Sequence, residues 1–434
     1  MKQYNILDYG ARIADSLSTA AIQNAINACY LGGGGEVVIP EGIFRTGAIL
    51  LHSGVTLHLL SGAYLEGSDI PEDYYIADDG LEPYIDVAGQ GKTLSRSADP
   101  GSRWNHGLIC GRGVHDIAVI GDRYSYIDGS DVFDPQGEED FRGPHGINLW
   151  DCENVTLCGY TLKNTGNWAH AIFRSKNVSI HNVTIYAGHD GVDLFLCEHA
   201  VVENCTIRTG DDSIAGFGSK DVTVRDCTLD TSCSVIRFGG TDVLFERCVT
   251  VGPGSFGHRC SLSKEEKARS AETTSAHRHN ILTAFLYYCD NRFGTLPYAP
   301  GRILVRDCTF DNVRTLFNMD FGRHKWCCNA PLRSITFENC RLTGATQPIY
   351  IHGDAENPID FMLKNVQLSP DESAKDDCFL DAENCSRLTL ENVTLDGYKH
   401  PSAILRSEIK VQTADSTAFE VVRGEAGKSE IHGH

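Results

Sequence analysis

Short runs in which β-branched and polar residues alternate recur along most of this chain. Asn154-Val155-Thr156-Leu157, Asn177-Val178-Ser179-Ile180, Val201-Val202-Glu203-Asn204, Asp221-Val222-Thr223-Val224 and Asp242-Val243-Leu244-Phe245 form one consecutive series. Ile303-Leu304-Val305-Arg306, Ile335-Thr336-Phe337-Glu338, Met362-Leu363-Lys364-Asn365 and Leu388-Thr389-Leu390-Glu391 continue it. Alternation of this kind predicts β-strands with one buried face. Successive runs start mostly about 20 to 27 residues apart, with larger gaps where other sequence intervenes. That period is too short for a strand and a crossover helix in each repeat. It suits several short strands and turns per coil, which is a β-solenoid.

A second register runs beside the first. Cys205, Cys227, Cys248, Cys308 and Cys340 follow their strands at equivalent positions, and Val183, Val366 and Val393 take the same place in other repeats. One small apolar side chain per coil predicts an internal stack, with cysteine serving as a small hydrophobe. Asn182, Asn204, Asn339, Asn365 and Asn392 stand next to this column, where a short amide suits a turn; a ladder or independent turns would both fit.

The N-terminal region breaks the strand pattern. Thr19 to Cys29 carries apolar residues at helical spacing, Gly32-Gly33-Gly34-Gly35 ends the run, and Val37-Val38-Ile39-Pro40 opens strand structure. A short helix there would cover the open end of the first coil. The glycine run lacks a following Gly-Lys-Ser/Thr and precedes a strand rather than a helix, so it is not a phosphate loop. The reading is one all-β domain over residues 1–434, a single-stranded right-handed parallel β-helix with a short N-terminal capping helix. Residues 1–35 form the cap region, 68–106 and 254–300 are insertions that build groove walls, and 408–434 are a C-terminal cap or tail.

Composition narrows the function. The chain has 434 residues, 41% of them hydrophobic, which allows a large core. Its net charge of −20 works against nucleic acid and against long polyanions unless a binding surface is locally basic. The opening Met1-Lys2-Gln3-Tyr4-Asn5 has no apolar leader, and no later run is long enough to span a bilayer. A cytoplasmic location without membrane association is the expectation. Seventeen cysteines would then be thiols; without a tight CxxC pair, neither a zinc site nor an organic cofactor is expected.

The candidate chemistry sits in two acidic steps one repeat apart. Gly188-His189-Asp190-Gly191-Val192-Asp193 is followed by Gly210-Asp211-Asp212-Ser213. Coils that stack these steps crowd three carboxylates together. Such a group cannot ionise fully at low cost, so one member should hold a proton while the others stay basic. That division is what glycosidic hydrolysis requires. Asp193 is read as a turn or interior residue. A solvated turn column or a calcium site is the plainer alternative for the acids.

The residues also resemble a known family. Asp8-Tyr9-Gly10-Ala11, Thr19-Ala20-Ala21-Ile22-Gln23, Val37-Val38-Ile39-Pro40, Thr56-Leu57-His58-Leu59 and Asn164-Thr165-Gly166-Asn167-Trp168 are similar to the N-terminal half of glycoside hydrolase family 28, the polygalacturonases. Gly210-Asp211-Asp212-Ser213 matches the family's Asp-Asp signature, and His189-Asp190 stands where its Asn-Thr-Asp would be. The resemblance implies an inverting hydrolase with Asp211 as acid and Asp190 and Asp212 activating water. Two family elements are changed. Ser232-Cys233-Ser234 stands where a His-Gly is expected, and Gly257-His258-Arg259-Cys260 stands where an Arg-Ile-Lys would grip a uronate. These changes point away from polygalacturonate, toward a related glycoside hydrolase acting on another sugar or a relative whose chemistry has moved. His189, Trp168, Arg237, His145, His170 and Arg259 are the substrate-binding candidates. The expected activity is exo-action on oligosaccharides by a monomer or homo-oligomer. A lyase or epimerase, a transglycosylase and a noncatalytic binding solenoid are the competing readings.

Overall fold

A computed structural model describes residues 2–13, 16–75, 102–133, 142–258, 279–289, 296–322, 329–374 and 377–427. Every strand pairs in parallel with strands of the neighbouring coils, in one continuous stack. A representative coil contains His170–Phe173, Lys176–His181 and Thr184–Ala187. The next contains Val192–Phe195, Glu198–Glu203 and Thr206–Thr209, each lying on its counterpart. This is the parallel β-helix the repeats predict.

Alternation decides which side chains enter the core. In the first strand of each coil, His170, Val192, Ile214 and Ile236 stack inward, while Ala171, Asp193, Ala215 and Arg237 form the adjacent column. Phe217, Phe238, Phe285 and Phe317 are fully buried and help to fill the interior. The small-residue column also forms. Cys205, Cys227, Cys248, Cys308 and Cys340 are almost wholly buried, as are Val183, Val366 and Val393. The Cys205 and Cys227 thiols donate to the carbonyls two residues earlier at 3.2 and 3.1 Å.

The asparagines resolve into both alternatives. Asn182, Asn204, Asn339, Asn365 and Asn392 all have φ between 49° and 55°, a left-handed turn that asparagine tolerates better than most residues. Asn392 donates to Asn365, Asn365 to Asn339, and Asn339 to Asp307, each at 2.9 Å. A ladder therefore runs through the later coils, whereas Asn182 turns to its neighbour His181.

The predicted helix, Thr19–Leu31, buries Ala21, Ile22, Ala25, Ile26 and Cys29 against the first coils. Gly33 and Gly34 have φ of 88° and 93°, which lets the chain reverse into the strand Gly35–Ile39. Strand pairing continues through Lys410–Ala414 and Glu420–Arg423 in the C-terminal region. Residues 76–101, 259–278 and 290–295 within the two insertions lie outside the described residues, the candidate Arg259 among them.

Because valine occupies the cysteine column in other coils, Cys227→Val should fold and change stability by less than about 1.5 kcal/mol. Cys227→Asp should unfold the coil by burying an unpaired charge. Urea unfolding of both variants checks this, and loss of folding in the valine variant would refute the packing role.

Candidate active site

The two acidic steps meet because the backbone stacks them. The Gly191 N–H donates to the Asp212 carbonyl at 2.9 Å, which sets Asp190 beside Asp212 on the adjacent coil. Coil spacing is about 4.8 Å, and oxygens of Asp190, Asp211 and Asp212 all lie within 4.8 Å of one another. Hydroxyls hold the Asp211 turn: Thr209 donates to the Asp211 carbonyl at 2.7 Å, and Thr231 donates to the same oxygen. The Ser234 N–H donates to Asp212 Oδ1 at 3.1 Å.

Arg237 is the cation among these acids. Its Nε lies 2.5 Å from Asp212 Oδ2, and a terminal nitrogen lies 3.7 Å from Asp190 Oδ2. The guanidinium also stands over the Tyr288 ring at 4.8 Å. It is committed to the carboxylates, so the expectation that Arg237 binds substrate gives way to a role in holding the triad.

Asp193 corrects the sequence reading. It shares the column of Arg237 rather than the interior column of Val192, and it is fully buried. The alternation Val192, Asp193, Leu194 held that signal, since the flanking residues are core.

The carboxylates differ in how readily they ionise. Burial, then the charges of Asp193, Asp211 and Asp212, push Asp190 well above its ordinary value, with Arg237 opposing. Burial raises Asp193 in the same way, again against Arg237. Asp212 is also raised by burial, with Arg237 and the Ser234 N–H opposing. Burial acts to raise Asp211 too, but His258, Arg142 and Arg237 outweigh it, with help from a Cys233 hydrogen bond, and hold it below the ordinary value. Burial and like charge thus favour the protonated forms of Asp190 and Asp193, whereas neighbouring cations favour the ionised form of Asp211. At Asp211 crowding is answered by cations.

His258 comes from the edge of the second insertion. Its Nδ1 lies 3.1 Å from the Gly210 carbonyl and 3.9 Å from Asp211 Oδ1. A Cβ on Gly210 would strike the carbonyls of Gly188 and Gly257, so glycine is what lets the loop bearing His258 approach. Asp211 is the most open acid, with 17% of its side chain exposed against 4% for Asp190 and 5% for Asp212.

The remaining candidates divide. His189 is fully buried beside Asp190, with its ring 5.1 Å from that of Phe133. Trp168 is 8% exposed and stacks on Phe195 at 5.7 Å, so it packs the wall instead of offering an open platform. His145 sits in the same wall between Trp104 and Trp168, and burial holds it neutral by lowering it to about 3. His170 does not reach the site. It occupies the interior column, meets the Tyr160 hydroxyl at 2.8 Å and is lowered by burial to about 4. Arg142 was missed by the sequence reading. Its guanidinium stands over Trp104 at 4.8 Å and acts on Asp211; it lies in no repeat, so no periodic signal marked it. Among the described residues, two groups have donor atoms close enough to hold a metal ion, the acidic triad and the set Asp211, Cys233 and His258.

Residues 87–234 match the family described as glycosyl hydrolases family 28. The chain is 49% identical over 74 residues to an exo-poly-alpha-D-galacturonosidase of Dickeya chrysanthemi, covering 17% of this chain and 12% of that protein. It is 39% identical over 122 residues to a mannuronan C5-epimerase of Azotobacter vinelandii, covering 28% of this chain and 11% of the other. These matches span only a small part of the relatives' length. An exopolygalacturonase of Thermotoga maritima shares the fold with a TM-score of 0.64 and 19% identity, over 91% of both chains.

The raised acids predict a pH signature. An acid raised in the folded state stabilises below its unfolded pKa, and that stability is lost as pH rises through the folded value. Asp193→Asn should therefore gain Tm over the parent at neutral pH, and the gain should shrink near the ordinary value of 3.8. Thermal melts of both proteins across that range check the sign.

Proposed function

We propose that this protein hydrolyses glycosidic bonds at the ends of short, uronate-bearing oligosaccharides, with inversion. The observation that carries the reading is the triad itself: three carboxylates with oxygens inside 4.8 Å, of which Asp211 is the most exposed. Asp211 is the acid that reaches the leaving oxygen. Asp190 and Asp212 are close enough to hold one water between them. Of these two, Asp212, against Arg237, is the better placed to take the water's proton.

The low-lying Asp211 needs a source for its proton, and His258 provides one. An imidazolium beside a carboxylate is favoured in water. A sugar that covers the pair strips that water and favours the neutral forms. The proton then sits on Asp211, facing the bond to be broken.

The altered uronate motif argued for another sugar on sequence alone. Arg142 and His258 answer that argument, because both place positive charge next to Asp211 in an otherwise acidic chain. The names of the relatives also refer to uronate polymers. The epimerase similarity supports a second reading, proton exchange at a uronate carbon without bond cleavage. The paired acid and water-holding carboxylates favour hydrolysis.

Asp211→Asn should fold normally and lose about 10²- to 10⁴-fold in kcat, the usual worth of a general acid. Mass spectrometry on a panel of neutral and uronic oligosaccharides tests this, and retained turnover would remove Asp211 from the acid role. Arg142→Gln should raise KM for uronic substrates while leaving neutral ones little changed; an equal rise for both would refute carboxylate recognition. Deuterium entering intact sugar from heavy water would favour the epimerase.

A further inference from the structure

Three different donor types converge at one edge of the acid cluster. The Asp211 carboxylate, the Cys233 thiol and the His258 imidazole each present a ligand atom within 4.8 Å of the other two. Sulfur, nitrogen and oxygen together form a set that suits a borderline transition metal, above all Zn²⁺, and that hard ions such as Ca²⁺ and Mg²⁺ do not select. Each ligand is held in place from behind. His258 Nδ1 lies against the Gly210 carbonyl at 3.1 Å, the kind of outer contact that orients a ligating imidazole. The Cys233 N–H donates to Thr231 Oγ1 at 3.0 Å, and Thr231 in turn donates to the Asp211 carbonyl. One threonine thus fixes two of the three ligands.

Burial leaves an entry path. Cys233 is 9% exposed, and the Asp211 and His258 side chains retain 17% and 12%. Three protein donors with one open side is the ligand count of a zinc site that keeps a position for water.

We propose that Asp211, Cys233 and His258 form a binding site for Zn²⁺ that switches the protein off. Binding sends the thiol proton and the imidazolium proton to solvent and puts zinc–sulfur and zinc–nitrogen bonds in their place. The ion then occupies both Asp211 and His258. Inhibition rests on the hydrolytic reading above, because the metal takes the carboxylate and the imidazole that would carry the proton. Binding itself does not depend on that reading.

The test uses the full chain, stripped with a chelator and titrated with Zn²⁺ alone by calorimetry, with Co²⁺ as a spectroscopic substitute. One equivalent is expected, together with a sulfur-to-cobalt charge-transfer band in the near ultraviolet. Cys233→Ser should lose the band and bind roughly tenfold more weakly or worse, and His258→Gln should weaken binding similarly. A parent protein without the cobalt–sulfur band, or a Cys233→Ser variant with unchanged affinity and spectrum, would overturn the site. Saturating zinc should suppress turnover at least tenfold. Sulfur-ligated zinc with unaltered turnover would overturn the inhibitory role. A protein that binds zinc as described but cleaves no sugar would remove the hydrolase reading and leave the metal site standing.

Discussion

Arg237 among buried acids is the contact on which the rest of this site depends. Asp190, Asp193 and Asp212 are all at least 95% buried, where a lone charge costs several kcal/mol. The β-helix cannot move them apart, because backbone bonds fix the coils about 4.8 Å from one another. One guanidinium, carried on the same outward column as Asp193, answers two of these carboxylates directly. Breaking such a buried pair typically costs about 3–5 kcal/mol. The acids therefore stay crowded only because the next coil supplies a cation at the matching register.

This dependence explains what the sequence made legible. Strand periodicity, the cysteine and valine column and the glycine-ended helix each follow from a local rule repeated many times, so they could be read without coordinates. The convergence of Asp190 on Asp211 and Asp212 was legible for the same reason. Their spacing matches the repeat, and the repeat is what stacks them. His170 shows how the method misleads. Its place at the start of a strand suggested a site residue, but a shift of one position in a strand exchanges inside for outside. Asp193 was misread by the same margin, in the opposite direction.

What stayed hidden entered from outside the periodic pattern. Arg142 and His258 lie at the edges of irregular stretches, and nothing in the repeat fixes where such residues land. Yet these two residues decide how Asp211 ionises. A sequence can show that acids will crowd; it cannot show which of them will receive a cation. Arg237 lay within the pattern and still had its role misjudged, since its partners are set by side-chain direction.

The placement of the proton then follows from competition among neighbours. Crowding and burial act on all four acids, so neither can distinguish among them. What separates Asp211 is that His258, Arg142 and Arg237 all act on it, and that it is the most exposed of the three triad acids. Asp190 has Arg237 at longer range and three acids against it. An empty site that keeps Asp211 ionised is compatible with an acid role only if substrate changes the balance. Covering the Asp211–His258 pair does so, because loss of water penalises two charges more than two neutral groups. On this argument the loop that delivers His258 is part of the acid, and the chemistry of the site is divided between the rigid solenoid and the irregular chain that borders it.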